Sequence, residues 1–347
     1  MLERARRTLA GSRRGPLDRS RWAVAAAAVG LLAVSACGAA QGGGSGGTAA
    51  GAGTDSSGNF TINLGSVTPT ANTINILVAD QEGFLAKNHL SLNFKQLSNS
   101  LTVMSGLGHS YDMAFGFVPQ EIIARGQGVD LTVVSDLAID TPSHPGAGLI
   151  VPAGSSIKSL ADLPGQTVGC VGLTDDLYEG FQYELYQHGI NPAKVKGIAV
   201  PSAAQQAELT AGKIPAAIGT YPYVTEMENA GMKDLGDPLQ AVGANVSETN
   251  LVTTTAFAQS HKTQMAELRT ALDETNAWIP AHLSQVDSIL VKWSGQSAAA
   301  TKAAPLPSYQ TAFTQDEFTQ WITVLKTVVP NFKTSVTYQQ LDAGMQG

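Results

Sequence analysis

Cysteine occurs in this chain only at positions 37 and 170, too sparsely for a disulfide framework, a cysteine-rich zinc site or an iron–sulfur cluster. Histidine occurs six times (His89, His109, His144, His188, His261, His282), with no H-E-x-x-H and no pair on one helical turn. Neither a metal site nor a cofactor is therefore expected. Positive charge is scarce beyond the first 36 residues: only Arg125, Arg269 and the lysines remain, 14 basic against 26 acidic residues and a net charge of −12. A balance of that sign argues against a nucleic-acid partner and against electrostatic attachment to anionic lipid head groups. The apolar run Trp22 to Val34 falls short of the roughly 20 residues that a membrane-spanning helix needs.

What the N-terminus does contain is a targeting pattern. Seven arginines precede Trp22, the apolar run follows, and Val34-Ser35-Ala36-Cys37 closes it with small residues and a thiol. A basic region, a short apolar region and a small-residue cleavage site make an export signal over residues 1–36. Cys37 is the expected lipid attachment point, which would hold the protein outside the cytoplasm on the cell membrane. Arg6-Arg7 hints at twin-arginine export, but Thr8-Leu9-Ala10 continues that motif poorly, and either export route remains open. From Gly38 to Asn59 the chain is almost wholly Gly, Ala, Ser and Thr, a flexible tether with an end-to-end distance on the order of 25 Å. Once Cys37 carries lipid, Cys170 has no partner and reads as a buried, inert thiol.

From Phe60 onward, strand and helix patterns alternate. Strands are predicted at Phe60–Leu64, Leu90–Leu97, Asp112–Phe117 and Leu131–Leu137. Helices lie between them: one with Ile74, Leu77, Val78 and Leu85 on its apolar face, one near Leu101–Gly106, and one at Pro119–Arg125. Pro142, Pro145, Gly146 and Gly148 interrupt the pattern, which then resumes. Strands follow at Leu149–Val151, Thr167–Val171, Gly197–Val200 and Ala216–Thr220, with helices at Ile157–Leu163, Asp176–His188, Ala203–Ala211 and Val224–Ala230. An extended segment at Asn250–Ala256 precedes a helical remainder expected to pack on the first half. Such βαβ alternation implies largely parallel sheets. The run from Ser105-Gly106 through the strand to Val118-Pro119 has an echo, from Ala211-Gly212 through the next strand to Tyr221-Pro222. The echo and the break favour two equivalent lobes.

Three stretches carry a resemblance. They are Gln81-Glu82-Gly83-Phe84-Leu85-Ala86-Lys87-Asn88-His89-Leu90, then Ser156-Ile157-Lys158-Ser159-Leu160-Ala161-Asp162-Leu163-Pro164-Gly165-Gln166-Thr167-Val168-Gly169, and Thr220-Tyr221-Pro222-Tyr223. Over Phe60 to Phe257 the chain resembles the type II periplasmic binding proteins of ABC importers, in the group that takes taurine, alkanesulfonates, nitrate and thiamine precursors. The resemblance implies a bilobal α/β fold: two parallel-rich sheets flanked by helices, two hinge crossings and a helical C-terminal block. Lobe I would span 60–145 and 250–347, and lobe II 146–249. It further implies a small-molecule solute, an ABC permease and ATPase as partners, and a monomer.

Ligands of open α/β sheets sit beyond the carboxyl ends of strands. Those ends give a candidate set of Thr68, Thr70, Asn99, Ser100, Phe117, Val118, Thr174, Asp175, Asp176, Tyr178, Tyr221 and Tyr223. Hydroxyls and amides would hydrogen-bond a small polar ligand, and the aromatics would cover its flat parts. Asp175 and Asp176 open a helix, and none of these loops contains Arg or Lys. Binding of a strong anion usually needs a cation or a bare helix N-terminus, so a neutral or amine-bearing solute such as an aminopyrimidine is expected. The alternatives are a sulfonate, taurine or nitrate binder, or a lipoprotein that senses a ligand at the surface.

No enzyme activity is expected. Gly43-Gly44-Ser45-Gly46-Gly47 matches G-x-S-x-G only formally, since no strand or helix can flank it. Ser155-Ser156-Ile157-Lys158 matches S-x-x-K, but no Lys-Thr-Gly or Ser-Asp-Asn accompanies it, and a helix cap at Ser155 or Ser156 explains it better. One member of the resembling group makes the thiamine pyrimidine with a cysteine-rich, iron-binding segment, and this chain has no such segment.

Overall fold

The structure, a computed structural model, describes residues 53–67, 69–97 and 101–342. The export segment, Cys37, most of the tether, and the candidate residues Thr68, Asn99 and Ser100 lie outside the described residues. Among the described residues no helix is long and apolar enough to cross a membrane.

After the short β1 (Gly53–Thr54), the alternation in β2 (Phe60–Ser66) buries Ile62 and Leu64. A 3-10 turn at Ala71–Thr73 leads into α1 (Ile74–Gln81). The apolar face expected to run on to Leu85 is broken at Gly83, whose φ of 82° only glycine adopts readily, and α2 (Phe84–Lys87) begins anew there. The first run continues through β3 (Leu90–Gln96), α3 (Leu101–Gly106), β4 (Met113–Gly116), α4 (Val118–Gly126) and β5 (Thr132–Asp140).

The second run comprises β6 (Ala147–Val151), β7 (Thr167–Cys170), α5 (Asp176–Gln187), β8 (Lys196–Ala199), α6 (Ser202–Thr210), β9 (Ala216–Thr220), α7 (Tyr223–Asn229) and β10 (Lys233–Asp234). Between β6 and β7 the helix expected at 157–163 shrinks to a 3-10 turn, Leu160–Asp162. The Asp162 carboxylate accepts from the Lys158 and Ser159 amides at 2.9 and 3.1 Å, which fixes the start of the turn, and Pro164 ends it. Ser159, not Ser155 or Ser156, is the capping residue. The chain then returns through β11 (Val246–Thr253) into α8 (Thr255–Ser260), α9 (Lys262–Trp278), α10 (Leu283–Ser294), α11 (Ala298–Ala303), β12 (Ser308–Tyr309), α12 (Gln315–Val328) and α13 (Tyr338–Leu341).

The strands form two sheets. In the first, β2 pairs parallel with both β3 and β4, while β11 lies antiparallel between β4 and β5, with β12 beyond. In the second, β7 pairs parallel with β8 and β9, and β6 lies antiparallel against β9, with β10 beyond. The two orders are the same, so β4 and β9, the strands of the internal echo, hold equivalent places. Each sheet thus has a parallel βαβ part and an antiparallel part contributed by the crossing strands. Strand-and-helix periodicity reveals the first but carries no sign of the second.

The chain passes between the sheets over residues 141–146 and 235–245. Since β11 begins at Val246 and pairs with β5 from Asp140 onward, a lobe boundary placed at 249 would cut a strand of the first sheet. The terminal helices do not pack on the first sheet alone. Helices α9 and α10 lie against α1, whereas α11 meets α7, and α12 packs against α4, β11 and α5. Trp321 of α12 is fully buried in an apolar cluster that joins Val118 and Ile122 of α4 to Phe181 and Leu185 of α5. The apolar core therefore crosses between the two halves on the side where α4, α5 and α12 meet.

Candidate ligand-binding site

A cavity of about 410 Å³ lies where the carboxyl ends of the two parallel strand sets meet, within the usual range for small-molecule sites. From the first sheet come Ser66 at the end of β2 and Val67 after it, Leu97 after β3, Phe115 in β4, and Phe117 and Gln120 after it; Asn72 and Thr73 of the 3-10 turn, its N-cap Thr70, and Thr249 of β11 complete that side. Opposite stand Gly172, Leu173, Asp175 and Asp176 after β7, Ser202 after β8, and Thr220 and Tyr223 around the end of β9.

Of the residues expected from the sequence, Thr70, Phe117, Asp175, Asp176 and Tyr223 line this cavity. Four described ones do not. Val118, the first residue of α4, is fully buried in the apolar core, and Thr174 faces solvent. Tyr178 lies against β8, where its ring fills the space above Gly197 that any side chain there would need. Tyr221 is turned into the apolar core, and its carbonyl accepts from the Ala71 amide at 3.1 Å. The expectation of a ring lining the cavity fails for Tyr178 and Tyr221 for one reason: an aromatic at a strand end can fill the core as well as a cleft. Phe115 lines the cavity in their place. Ser202 follows β8, a strand end of the same kind that the strand-end rule would have found, and Thr220 is the last residue of β9, directly before Tyr221. Asn72 and Thr249 carry no comparable sequence signal.

Asp175 is the N-cap of α5, its carboxylate accepting from the Tyr178 amide at 3.0 Å. Burial raises its pKa to about 6, and hydrogen bonds from backbone amides hold it from rising further. Asp176 differs. It is buried, and among the described residues neither of its carboxyl oxygens has a hydrogen-bond partner. Burial, and then the neighbouring Asp175 charge, push its pKa well above the usual carboxylate range. Ser66 Oγ and Asn72 Oδ1 are likewise buried and unpartnered. Among the described lining residues there is no lysine or arginine.

Beneath the cavity, at the crossings, more acids gather. Asp140, at the end of β5, accepts from the Gly146 amide at 2.7 Å and from the Gln240 side chain, while Asp237 accepts from the Ala147 amide at 3.1 Å. Burial and the adjacent Asp237 carboxyl raise the pKa of Asp140 to about 9. Glu248 of β11, also raised by burial and by Asp140, accepts from the Asn72 side chain. Beside the cavity-lining Tyr223, two bonds join α7 to the end of α10 and the start of α11: the Tyr223 hydroxyl donates to the Ser294 carbonyl at 3.1 Å and Ser297 donates to Glu226 at 2.6 Å. Among the described residues no cluster of His, Cys, Asp or Glu is placed to hold a metal ion.

The fold is that of the periplasmic binding proteins. A ligand-binding component of an ABC-type import system from Staphylococcus aureus, solved with zinc bound, superposes with a TM-score of 0.69 at 15% identity, over 81% of this chain and 96% of its own. The alkanesulfonate-binding protein SsuA of Xanthomonas axonopodis, bound to MOPS, gives 0.65 at 15% identity over 76% and 90%. A desulfurization enzyme, DSZB, gives 0.57 at 14% over 82% and 97%, so this fold also carries catalysis elsewhere. At these identities the likeness is one of fold. In sequence, a Haemophilus influenzae protein named for thiamine biosynthesis is 27% identical over 224 residues, 63% of this chain and 68% of its own. Residues 70–284 match the family described as NMT1/THI5 like.

Proposed function

Since the chain belongs to the NMT1/THI5-like family, we propose that it is the extracytoplasmic solute-binding subunit of an ABC importer and captures a small neutral or amine-bearing solute between its two lobes. The observation that carries the choice of solute is a set of buried polar atoms on the lining residues that have no hydrogen-bond partner among the described residues: both oxygens of Asp176, Oδ1 of Asn72 and Oγ of Ser66, the last a hydroxyl that can donate as well as accept. Buried acceptors without donors are costly, and a ligand that supplies N–H groups relieves that cost. A sulfonate or nitrate would bring more acceptors and negative charge to a wall whose described lining residues include no lysine or arginine. Phe115, Phe117 and Tyr223 suit a flat heterocycle, and an aminopyrimidine combines such a ring with exocyclic donors.

Capture follows from where the wall residues stand. Contacts to Asp176 and Thr220 on one side and to Ser66 and Asn72 on the other are made together only when the halves are closed, so the solute stabilises the closed form. We take lobe I as residues 60–145 with 246–347, and lobe II as 146–245, with the two crossings as the hinge. Cys37 would carry the lipid that keeps this trap beside a membrane permease, with the tether giving it reach. Mass spectrometry of membrane-extracted protein would test the anchor: an N-terminus that starts elsewhere than a diacylated Cys37 refutes it.

Calorimetry of the purified chain after the tether, against aminopyrimidines, amines, taurine, alkanesulfonates and nitrate, tests the solute. Tight binding of taurine or nitrate together with none of any amine or aminopyrimidine would overturn the reading. Recovery of the bound probe unchanged after incubation distinguishes binding from catalysis.

A further inference from the structure

Asn72 Nδ2 donates to Glu248 Oε1, deep in the floor of the cavity, where both side chains are buried. That bond engages the donor end of the Asn72 carboxamide, and Oδ1, its acceptor end, has no partner among the described residues; Asn72 lines the cavity. Glu248 itself does not line the cavity. Its carboxyl group is packed onto the backbone of Gly146 at the first crossing, so closely that a Cβ on Gly146 would stand 2.2 to 2.4 Å from its atoms. The carboxyl is thus wedged between the hinge and Asn72.

An Asn side chain offers a donor or an acceptor depending on which way its amide is turned, and its partners decide which. We propose that Glu248 is a positioning residue for solute choice, which turns the Asn72 carboxamide so that its oxygen faces the solute and the floor of the cavity selects a hydrogen-bond donor. This rests on the reading of the cavity as a solute site and adds to it the residue, out of reach of the solute, that sets the polarity of one wall. Without an acceptor at position 248 the amide is released, and its NH2 group can serve a carbonyl-bearing solute equally well.

The test uses two probes, 4-amino-2-methylpyrimidine, whose exocyclic group donates, and 2-methyl-4-pyrimidinone, whose exocyclic oxygen accepts while its lactam N–H donates from the adjacent ring position, titrated calorimetrically into the wild type and four variants. The wild type is expected to prefer the amino probe by about tenfold or more, the size of one well-made hydrogen bond against an unmet one. Glu248→Met should bring the two affinities to within about threefold. Glu248→Gln, which keeps an acceptor at the same reach, should retain most of the preference. In Asn72→Asp, where both oxygens accept, adding Glu248→Met should leave the preference intact. A merely structural role for Glu248 would lower both affinities together and leave their ratio unchanged, and that result in Glu248→Met overturns the proposal. So does loss of the preference in the double variant, which would show that Glu248 does not act through Asn72. Should Glu248→Met fail to fold, Glu248→Leu takes its place, with the same narrowed ratio expected and an unchanged ratio overturning the proposal. A wild type that binds the pyrimidinone better refutes both this inference and the donor-seeking cavity, whereas a normal wild type with an unmoved Glu248→Met ratio refutes this inference only.

Discussion

Asp175 and Asp176 are neighbours at the start of one helix, yet they perform different tasks. Asp175 spends its carboxylate on the Tyr178 amide, the ordinary work of an N-cap, while Asp176 has no partner among the described residues. Replacing Asp176 by Asn should therefore weaken binding of an amine-bearing probe about tenfold to a hundredfold, since a charge-assisted bond is lost. The same change should raise the melting temperature of the ligand-free protein more at pH 8 than at pH 5, because burial raises the Asp176 pKa on folding and the cost of that shift grows as pH rises above the ordinary carboxylate range; a larger gain at pH 5 would contradict this. Stability as a whole should follow the same sign. Asp175, Glu179, Glu121 and Asp140 have folded-state pKa values raised mainly by burial, to about 6, 7, 8 and 9. The folded state binds their protons more tightly than the unfolded chain, so their contribution is complete below about pH 4 and is lost as pH rises through 6 to 9. Exposed Asp162 and Glu274, with pKa values lowered by hydrogen bonds, lose their small contribution only below the ordinary carboxylate range. The ligand-free melting temperature should then peak near pH 4 to 5 and fall toward pH 9, and a maximum at pH 8 would be the contrary result. The pair Asp175-Asp176 is visible in the sequence as acids in a first helical turn; which of the two is satisfied there depends on backbone direction, which the sequence does not display.

Strand β11 shows at the next scale why part of the fold is hard to read. Ser247, Glu248, Thr249 and Asn250 are all buried, so the segment has neither the apolar run of a central strand nor the alternation of an edge one. The sequence accordingly suggests an extended stretch only from Asn250, four residues late. Its polar residues are held by other buried polar groups: Ser247 donates to Asp136 at 2.9 Å and Asn250 donates to Glu121 at 3.1 Å. By contrast, the strand Ala216–Thr220 is all apolar or small, and its bounds were legible to the residue. The crossing beside β11 admits no side chain at Gly146, where a Cβ would strike the Glu248 carboxyl. Gly146→Ala should cost about 2 kcal/mol in denaturant unfolding, the usual effect of overpacking, and a neutral result would mean that the crossing is looser than it looks. At the opposite end of the site, Tyr223→Phe removes the hydroxyl that links α7 to the end of α10. It should weaken solute binding by about 1 kcal/mol, the net value of such a bond, while global unfolding changes little; calorimetry and thermal melts on the same sample separate the two.

At the scale of the molecule, the repeated strand order was visible only as an echo between two strand-and-loop segments, and the sequence alone did not say that they occupy matching positions. The place of β11 has a further consequence, for the order in which the chain can assemble. All five strands of the second sheet lie within one stretch, Ala147 to Asp234, whereas the first sheet is split: β4 and β5 do not pair with one another, and both await a strand that begins only at Val246. Closing that long loop must precede any gain from the contacts it brings. The half that is synthesised later is thus the one able to form its hydrogen bonds first. Pulsed hydrogen exchange during refolding should find the amides of β7, β8 and β9 protected before those of β4 and β5, and the reverse order would show that the split sheet nucleates folding. A chain cut between β5 and β11 would leave two strands of its first sheet with exposed edges, prone to pair with whatever strand arrives.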